Sequence, residues 1–427
     1  VATVVVAMSG GVDSSVAAAL LREQGHEVVG LTLQLWPKGA ADLDRHHGCC
    51  SLDAVEDARR VASALGIPYY VIDVQEEFNR RVIEPFLDDY RAGRTPNPCI
   101  ACNDAVKFDL LLGRARSIGA DRLATGHYAR VEEAGGRLRL RRAVDPGKDQ
   151  SYVLHGLGQA ELARVLFPLG SWRKADVRAR ARELGLVTAD KPDSVEICFV
   201  TGGDYRRLVA RRAEALEGPG AGEIVHVDGT PLGRHAGIWN YTVGQRSGLS
   251  ALPRGVAGPL YVIDLDPASR RVTVGPRERL RRAAFEVGGL RFVAGEPPAE
   301  EFEALVQVRS SAGAVPARVR LGAPAAGTGL AGGRAASSSR GATVEPHEPL
   351  GAVAPGQAAV LYAGDEVLGG GRILRSRVEA MARRAAPGAP PEGAPEAVPP
   401  GGLASPGPEP ARVGDPEPRR VAAGARP

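Results

Sequence analysis

Residues 4–21 constrain this chain more than any other stretch. Val4, Val5 and Val6 form a short β-branched apolar run, SGGVDSS follows at 9–15, and an alanine- and leucine-rich segment runs from Val16 to Leu21. Strand, glycine turn and helix in that order make an anion site, because the first amides of a helix have no internal partner and point outward. Gly10 and Gly11 allow the backbone to approach a ligand closely and to take positive φ. Ser9, Ser14 and Ser15 add hydroxyl donors. Asp13 is out of place beside phosphates unless it caps the helix or holds a magnesium ion. A second apolar stretch, Val28 to Leu35, completes a βαβ unit and with it a parallel sheet.

The Walker pattern, which ends in Gly-Lys-Ser/Thr, is absent, as is the dinucleotide pattern G-x-G-x-x-G. The stretch at 9–15 resembles instead the SGGxDS signature of the ATP pyrophosphatase (PP-loop) superfamily. That resemblance implies a loop that grips the pyrophosphate of ATP while AMP passes to a substrate oxygen.

Alternating strand and helix signals continue to about Arg212. Helices are expected at Leu52–Leu65, Phe78–Tyr90, Phe108–Ile118, Gln159–Leu166 and Lys174–Leu184, and strands at Tyr69–Asp73 and Arg122–Thr125. Ser51 is a candidate N-cap, after a polar loop over Trp36–His47. Two prolines, Pro96 and Pro98, suppress helix before the cysteines that follow. Ligands of open α/β sheets gather at strand carboxyl ends, which places Gly126 and His127 near the first loop.

From Glu223 the pattern changes to short strands and turns. Glu223–Val227, Gly237–Thr242, Leu260–Asp264 and Arg271–Val274 read as a small mixed domain, and 285–362 as a compact β-barrel. The expected organisation is an α/β parallel-sheet PP-loop domain over 1–212, a small central domain over 213–280, and a C-terminal β-barrel over 281–376. A flexible insertion is expected at 322–343 and a disordered Ala/Pro/Gly-rich tail at 385–427.

A chain of 427 residues holds two or three such domains, and 44% hydrophobic residues suffice for their cores. No apolar run reaches the roughly 18 residues of a membrane helix. No charged-then-apolar leader is evident, so a cytoplasmic location is expected. The net charge of +4 says little about nucleic acid. Local basic runs say more: RLRLRR at 137–142, RRLVARR at 206–212, and six arginines over 270–282. Each is ordinarily a solvated face, and together they would form a phosphate-tracking surface if they shared one side. The five cysteines, Cys49, Cys50, Cys99, Cys102 and Cys198, suit catalysis or metal binding in a cytosolic chain better than structural disulfides. Cys49 and Cys50 read as packing residues at a helix start.

Further motifs follow in order: GRTPNPCIACN at 93–103, KFD at 107–109, ATGHYAR at 124–130, KDQSY at 148–152, ICF at 197–199, TVGQR at 242–246, PGQAAVLY at 355–362 and GGGRI at 369–373. With the first loop they resemble the bacterial tRNA-specific 2-thiouridylases over roughly residues 1–375. The resemblance implies a tRNA-uridine 2-sulfurtransferase. ATP, with magnesium, would activate O2 of the wobble uridine at tRNA position 34, and sulfur from a cysteine persulfide would displace AMP at C2. Implied partners are tRNAs of the Lys, Glu and Gln type and a sulfur-donating protein of a cysteine desulfurase relay.

Carried over by position, Cys198 would hold the persulfide and Cys102 would be the partner nucleophile, releasing sulfide or closing a disulfide. Ala7, Met8, Ser9, Gly10, Gly11, Val12, Asp13 and Ser14 would wrap the ATP phosphates, with Leu33 on the adenine side and Gly126 a further contact. Asn97, Pro98 and Cys99 would meet the target base. His127, Lys148, Asp149, Gln150, Arg309, Ser310 and Gln357 fall at tRNA-contacting positions.

Two departures stand out. Position 310 is aromatic in the family pattern and is serine here. Position 99 is aspartate in the best-known members and is cysteine here, so Cys99, Cys102 and Cys198 could instead hold a 4Fe–4S cluster. A zinc site lacks an obvious fourth ligand. Two other functions fit parts of the sequence: a PP-loop ligase that amidates a small carboxylate, and a tRNA-binding protein without catalysis. The cysteines and the barrel argue against the first, and the intact phosphate loop against the second.

Overall fold

Val4, Val5 and Val6 are fully buried, and their alternation explains the architecture. Val4 and Val6 face one apolar cluster and Val5 the opposite one, so the strand is covered on both faces, as a central strand of a parallel sheet must be. The computed structural model describes residues 1–35, 52–193, 197–200, 205–215, 220–249, 258–322 and 340–377. The expected Trp36–His47 loop, Cys49, Cys50, the Ser51 cap, most of the 322–343 insertion and the 385–427 tail lie outside the described residues.

The N-terminal sheet contains β1 (Thr3–Ala7), β2 (Glu27–Gln34), β3 (Tyr69–Asp73) and β4 (Arg122–Thr125). Hairpin strands β5 (Ala129–Ala134) and β6 (Arg137–Arg142) leave it, and a two-residue strand β7 (Val165–Leu166) closes its edge. The order is β3-β2-β1-β4-β7, all parallel. Helix α1 (Val12–Glu23) packs on one face with α2 (Leu52–Leu65). The expected helix over Gln159–Leu166 stops at Leu162, because Val165 and Leu166 pair with β4 instead.

Two helices differ from expectation. The first, α3, runs from 75 to 91, and its Asn79–Ile83 stretch widens to π-helical bonding. The second, α4, runs from 98 to 117 and starts ten residues before the expected Phe108. Pro98 does not block it. It stands at the first helical position, where a missing N–H costs nothing and its fixed φ fits. Asn97 caps the end by accepting the Cys99 N–H at 3.1 Å. The two helices are joined by Arg81, which reaches the Ala105 carbonyl and Asp109.

The central unit is a sheet of β8 (Gly222–His226), β9 (Pro231–His235), β10 (Tyr261–Asp266) and β11 (Arg271–Gly275), ordered β10-β11-β8-β9. The strand expected at Gly237–Thr242 is a 3₁₀ turn over Ile238–Asn240. Ile238 and Trp239 are adjacent and both buried, which a half-covered strand cannot achieve because neighbours point to opposite faces.

Six strands then close a barrel: β12 (Ala284–Phe292), β13 (Glu301–Gln307), β14 (Val315–Gly322), β15 (Arg340–Pro346), β16 (Ala358–Ala363) and β17 (Glu366–Arg377). The β12–β17 pairing shuts the ring, and its interior holds Phe285, Val306, Val319, Val344, Leu361 and Ile373. The β5–β6 hairpin, expected within the N-terminal domain, adds to this sheet at β17.

The RLRLRR run is therefore not a free basic face. Arg137 and Arg139 bind Glu366, Arg141 binds Asp365 and Glu132, and Arg142 binds Asp149. The run is neutralised by acids from the barrel, from its own hairpin and from the segment just after it. Arg282, from the third run, is 2% exposed and donates to the Arg279 and Ile263 carbonyls.

Candidate active site

The turn after β1 is held by its own hydroxyls. Ser14 Oγ accepts the Ser9 N–H at 3.1 Å and donates to Gly11 O, while Ser15 Oγ donates to Gly11 O at 2.9 Å. These hydroxyls brace the turn rather than face outward. Gly10 takes φ +69°, and a Cβ there would lie 2.0 Å from Ala54 O. Gly126, at the end of β4, leaves room for the loop, since its Cβ would sit 2.7 Å from Ser14 N. Met8 is buried, and its carbonyl accepts the Thr32 hydroxyl at 2.6 Å.

Asp13 neither caps the helix nor offers a metal ligand in this arrangement. The N-cap is Gly11, with no side-chain bond. The Asp13 carboxylate accepts from Lys174 Nζ at 2.7 and 2.8 Å and from the Tyr128 hydroxyl at 2.7 Å. Burial, with Asp13 beside it, pushes the Tyr128 hydroxyl above its ordinary range, so it stays a donor. Magnesium on Asp13 would have to displace an ammonium group.

Lys174 continues to Asp193 at 2.8 Å, which also binds Lys148 and Arg178. Lys191 donates to the Gly10 carbonyl at 3.0 Å and to Asp57 at 2.7 Å. Cationic groups thus reach the phosphate loop directly at Gly10 and Asp13, and Lys148 and Arg178 join the same network through Asp193. Sequence reading did not single out Lys174, Lys191, Asp193 or Tyr128 for this site. The only signal was the Lys191-Pro192-Asp193 run shortly before Cys198.

Burial of Asp193 opposes its ionisation, but the Lys148 and Lys174 hydrogen bonds outweigh it and hold the carboxyl at about 2. Because this value lies below the ordinary 3.8, the ionic contribution is complete above that value and fades as pH falls through about 2. The melting-temperature advantage of wild type over Asp193→Asn is therefore expected to be flat above about pH 5 and to narrow at lower pH. Thermal melts of both proteins in a pH series check this.

The Pro-Cys segment is pinned by the barrel. Thr95 N donates to Pro355 O at 2.8 Å, and the Gln357 amide donates to Thr95 O at 2.8 Å. Arg94 and the β17 residue Arg372 both bind Asp89 of α3. Cys99 is exposed, Cys102 and Cys198 are half-buried, and none of the three is disulfide-bonded. Cys102 and Cys198 pack against one apolar cluster that includes Phe78, Phe86, Val106 and Phe199. Two cysteines nearly a hundred positions apart in sequence thus border the same apolar cluster. Among the described residues no three His, Cys, Asp or Glu side chains are grouped to hold a metal ion.

Several expected tRNA contacts are engaged internally. His127 is 7% exposed, its Nδ1 lies 2.7 Å from Thr125 Oγ1, and burial holds its pKa well below 6.5, so it is neutral. Asp149 binds Arg142 and the Ser151 hydroxyl. Gln150 accepts the Tyr128 N–H, although the residue itself is exposed. Arg309 donates to Val243 O and Ala352 O, tying the barrel to the central unit. Gln357 serves the Pro-Cys segment and Lys148 the Asp193 network. Ser310 is exposed, and Asn97 and Leu33 are partly so.

Residues 2–202 match the family described as tRNA methyl transferase HUP domain, 214–276 the tRNA methyl transferase PRC-barrel domain, and 334–373 the aminomethyltransferase beta-barrel domain. The tRNA-specific 2-thiouridylase MnmA of Chloroflexus aurantiacus is 50% identical over 378 residues, covering 88% of this chain and 99% of that protein. The chain belongs to the tRNA-specific 2-thiouridylase family. Other 2-thiouridylases agree: that of Roseiflexus sp. is 48% identical, covering 88% of this chain and all of the relative. That of Geobacter metallireducens is 50% identical, covering 88% and 98%. The phosphate loop, Lys174, Lys191 and all three cysteines fall within the HUP-domain match. No helix among the described residues is long and apolar enough to cross a membrane.

Proposed function

We propose that this chain catalyses ATP-dependent 2-thiolation of the wobble uridine at position 34 of tRNA. The observation that carries the reading is the packing of Cys102 and Cys198 against one cluster, in the domain that also holds the phosphate loop. An amidating ligase has no use for two thiols bordering one cluster, and a passive tRNA binder has none for either feature.

The α1 amides, Lys191 and Lys174 bind the ATP polyphosphate, with Lys148 and Arg178 behind them. Uridine O2 attacks the α-phosphorus and pyrophosphate leaves, so C2 gains a leaving group that a carbonyl oxygen lacks. Asn97 and Pro98 position the base, which must leave its stack to reach them. The terminal sulfur of the Cys198 persulfide then becomes bonded to C2, and AMP departs with the C2–O electrons. Cys102 acts on Cys198 Sγ, either freeing sulfide before the attack or releasing the thiolated base after it. Both routes end with a Cys102–Cys198 disulfide. The sulfur comes from a donor protein of a cysteine desulfurase relay in the cytoplasm, and Lys, Glu and Gln tRNAs are the substrates.

The test is incubation with ATP, a persulfide donor and unmodified tRNA, followed by nucleoside analysis. 2-Thiouridine at position 34 is the expected product, and its absence would refute the reading. Lys191→Ala is expected to raise the KM for ATP about fivefold to thirtyfold, because a charge-assisted contact at the loop is worth roughly 1–2 kcal/mol. Lys191→Arg should recover part of that loss in steady-state kinetics.

A further inference from the structure

Cys99 is left over by this mechanism, and its placement gives it a use. Helix α4 begins at Pro98, so Cys99 is its second residue, and Cys102, three positions on, ends the first α-helical turn before bonding widens to π-helical over Cys102–Leu111. Residues three apart on a helix share a face. Helical geometry puts their Cα atoms about 5 Å apart, inside the span of roughly 4.4–6.8 Å that a disulfide bridges. The three described cysteines also differ in access. Cys102 and Cys198 are half-buried against an aromatic cluster, whereas Cys99 is exposed. A disulfide between the two half-buried sulfurs would be less open to a reductant in solution. One that includes the exposed Cys99 would be more open.

We infer that Cys99 is the resolving thiol of the catalytic cycle. This rests on the function proposed above, which leaves Cys102 and Cys198 joined. The Cys99 thiolate attacks Cys102 Sγ, the Cys102–Cys198 bond breaks, and Cys198 leaves as a thiolate. The proton lost by Cys99 is balanced by the one Cys198 takes up, and no net oxidation occurs. The product is an exposed Cys99–Cys102 disulfide. A dithiol reductant returns it to two thiols and is itself oxidised to a disulfide. Exposed disulfides are the readily reduced ones. Cys198 is meanwhile free to accept the next sulfur.

The experiment uses the full chain, loaded with persulfide and given ATP and tRNA for one turnover without reductant. Acid quenching, alkylation and tryptic mapping follow. Arg94 and Lys107 bracket both helix cysteines, so the expected product is a single internally closed peptide with Cys198 alkylated. A peptide pair linked through Cys198, with Cys99 alkylated, would overturn the inference. In Cys99→Ser the linked pair should persist. With dithiothreitol as reductant, that variant's ratio of steady-state rate to first-turnover rate should fall about tenfold. Cys99→Asp should not restore it, and an unchanged ratio in Cys99→Ser would also overturn the inference. Wild type that yields 2-thiouridine without the closed peptide refutes this step alone. Wild type that yields no 2-thiouridine refutes the underlying function and this step with it.

Discussion

Cys198→Ser is expected to lower the yield of 2-thiouridine by about 10³-fold or more, with ATP affinity changed by less than about twofold. A hydroxyl of nearly the same size cannot carry a sulfane sulfur, so the group to be transferred never loads. The replacement sits at the rim of an apolar cluster, where Cys198 is only half-buried, so little stability is lost. The phosphate-loop contacts come from Lys174 and Lys191, upstream of Cys198, and remain intact. Uridine activation should therefore persist, seen as pyrophosphate released on adding tRNA. Nucleoside analysis and ATP titration of the same preparation check both halves. Full activity in the serine variant would end the proposed sulfur route.

The parts of this site that were legible in the sequence are local. The turn after β1 announces itself by β-branched residues, paired glycines and an alanine-rich helix, and the helix over Leu52–Leu65 and the strand over Arg122–Thr125 follow from their apolar periods. Local rules misled where one residue type serves opposite ends of an element. Pro98 reads as a helix breaker, yet at the first helical position it begins α4 and puts Cys99 and Cys102 on one turn. Charge was the least legible property. RLRLRR looks like a face for phosphate, but Asp365 and Glu366, far along the chain, neutralise most of it. Lys174 and Lys191 sit in stretches with no motif of their own, and only long-range packing brings them to Asp13 and Gly10. Long-range pairing of this kind leaves no periodic trace in one sequence.

The phosphate loop itself gives the other large effect. Gly10→Ala is expected to weaken ATP binding by at least about 100-fold. An alanine forced to φ +69° costs roughly 1–2 kcal/mol, which alone accounts for about tenfold. The remainder comes from space. The new methyl group would lie 2.0 Å from the Ala54 carbonyl oxygen and 2.7 Å from its Cα. Both are backbone atoms of α2, so no side chain can rotate away. Either the loop or the helix must shift, and Lys191, which donates to Gly10 O, shifts with it. Gly11→Ala separates this cause from a general sensitivity of the loop. Gly11 has φ −101°, and its Cβ would meet only Ser9 Oγ at 3.5 Å, an ordinary contact. Its loss of affinity should be at least about tenfold smaller, since neither strain nor overlap arises. Calorimetric titration of ATP into both variants decides the matter. Equal losses would mean that the pinning of Gly10 against α2 does not shape the nucleotide site.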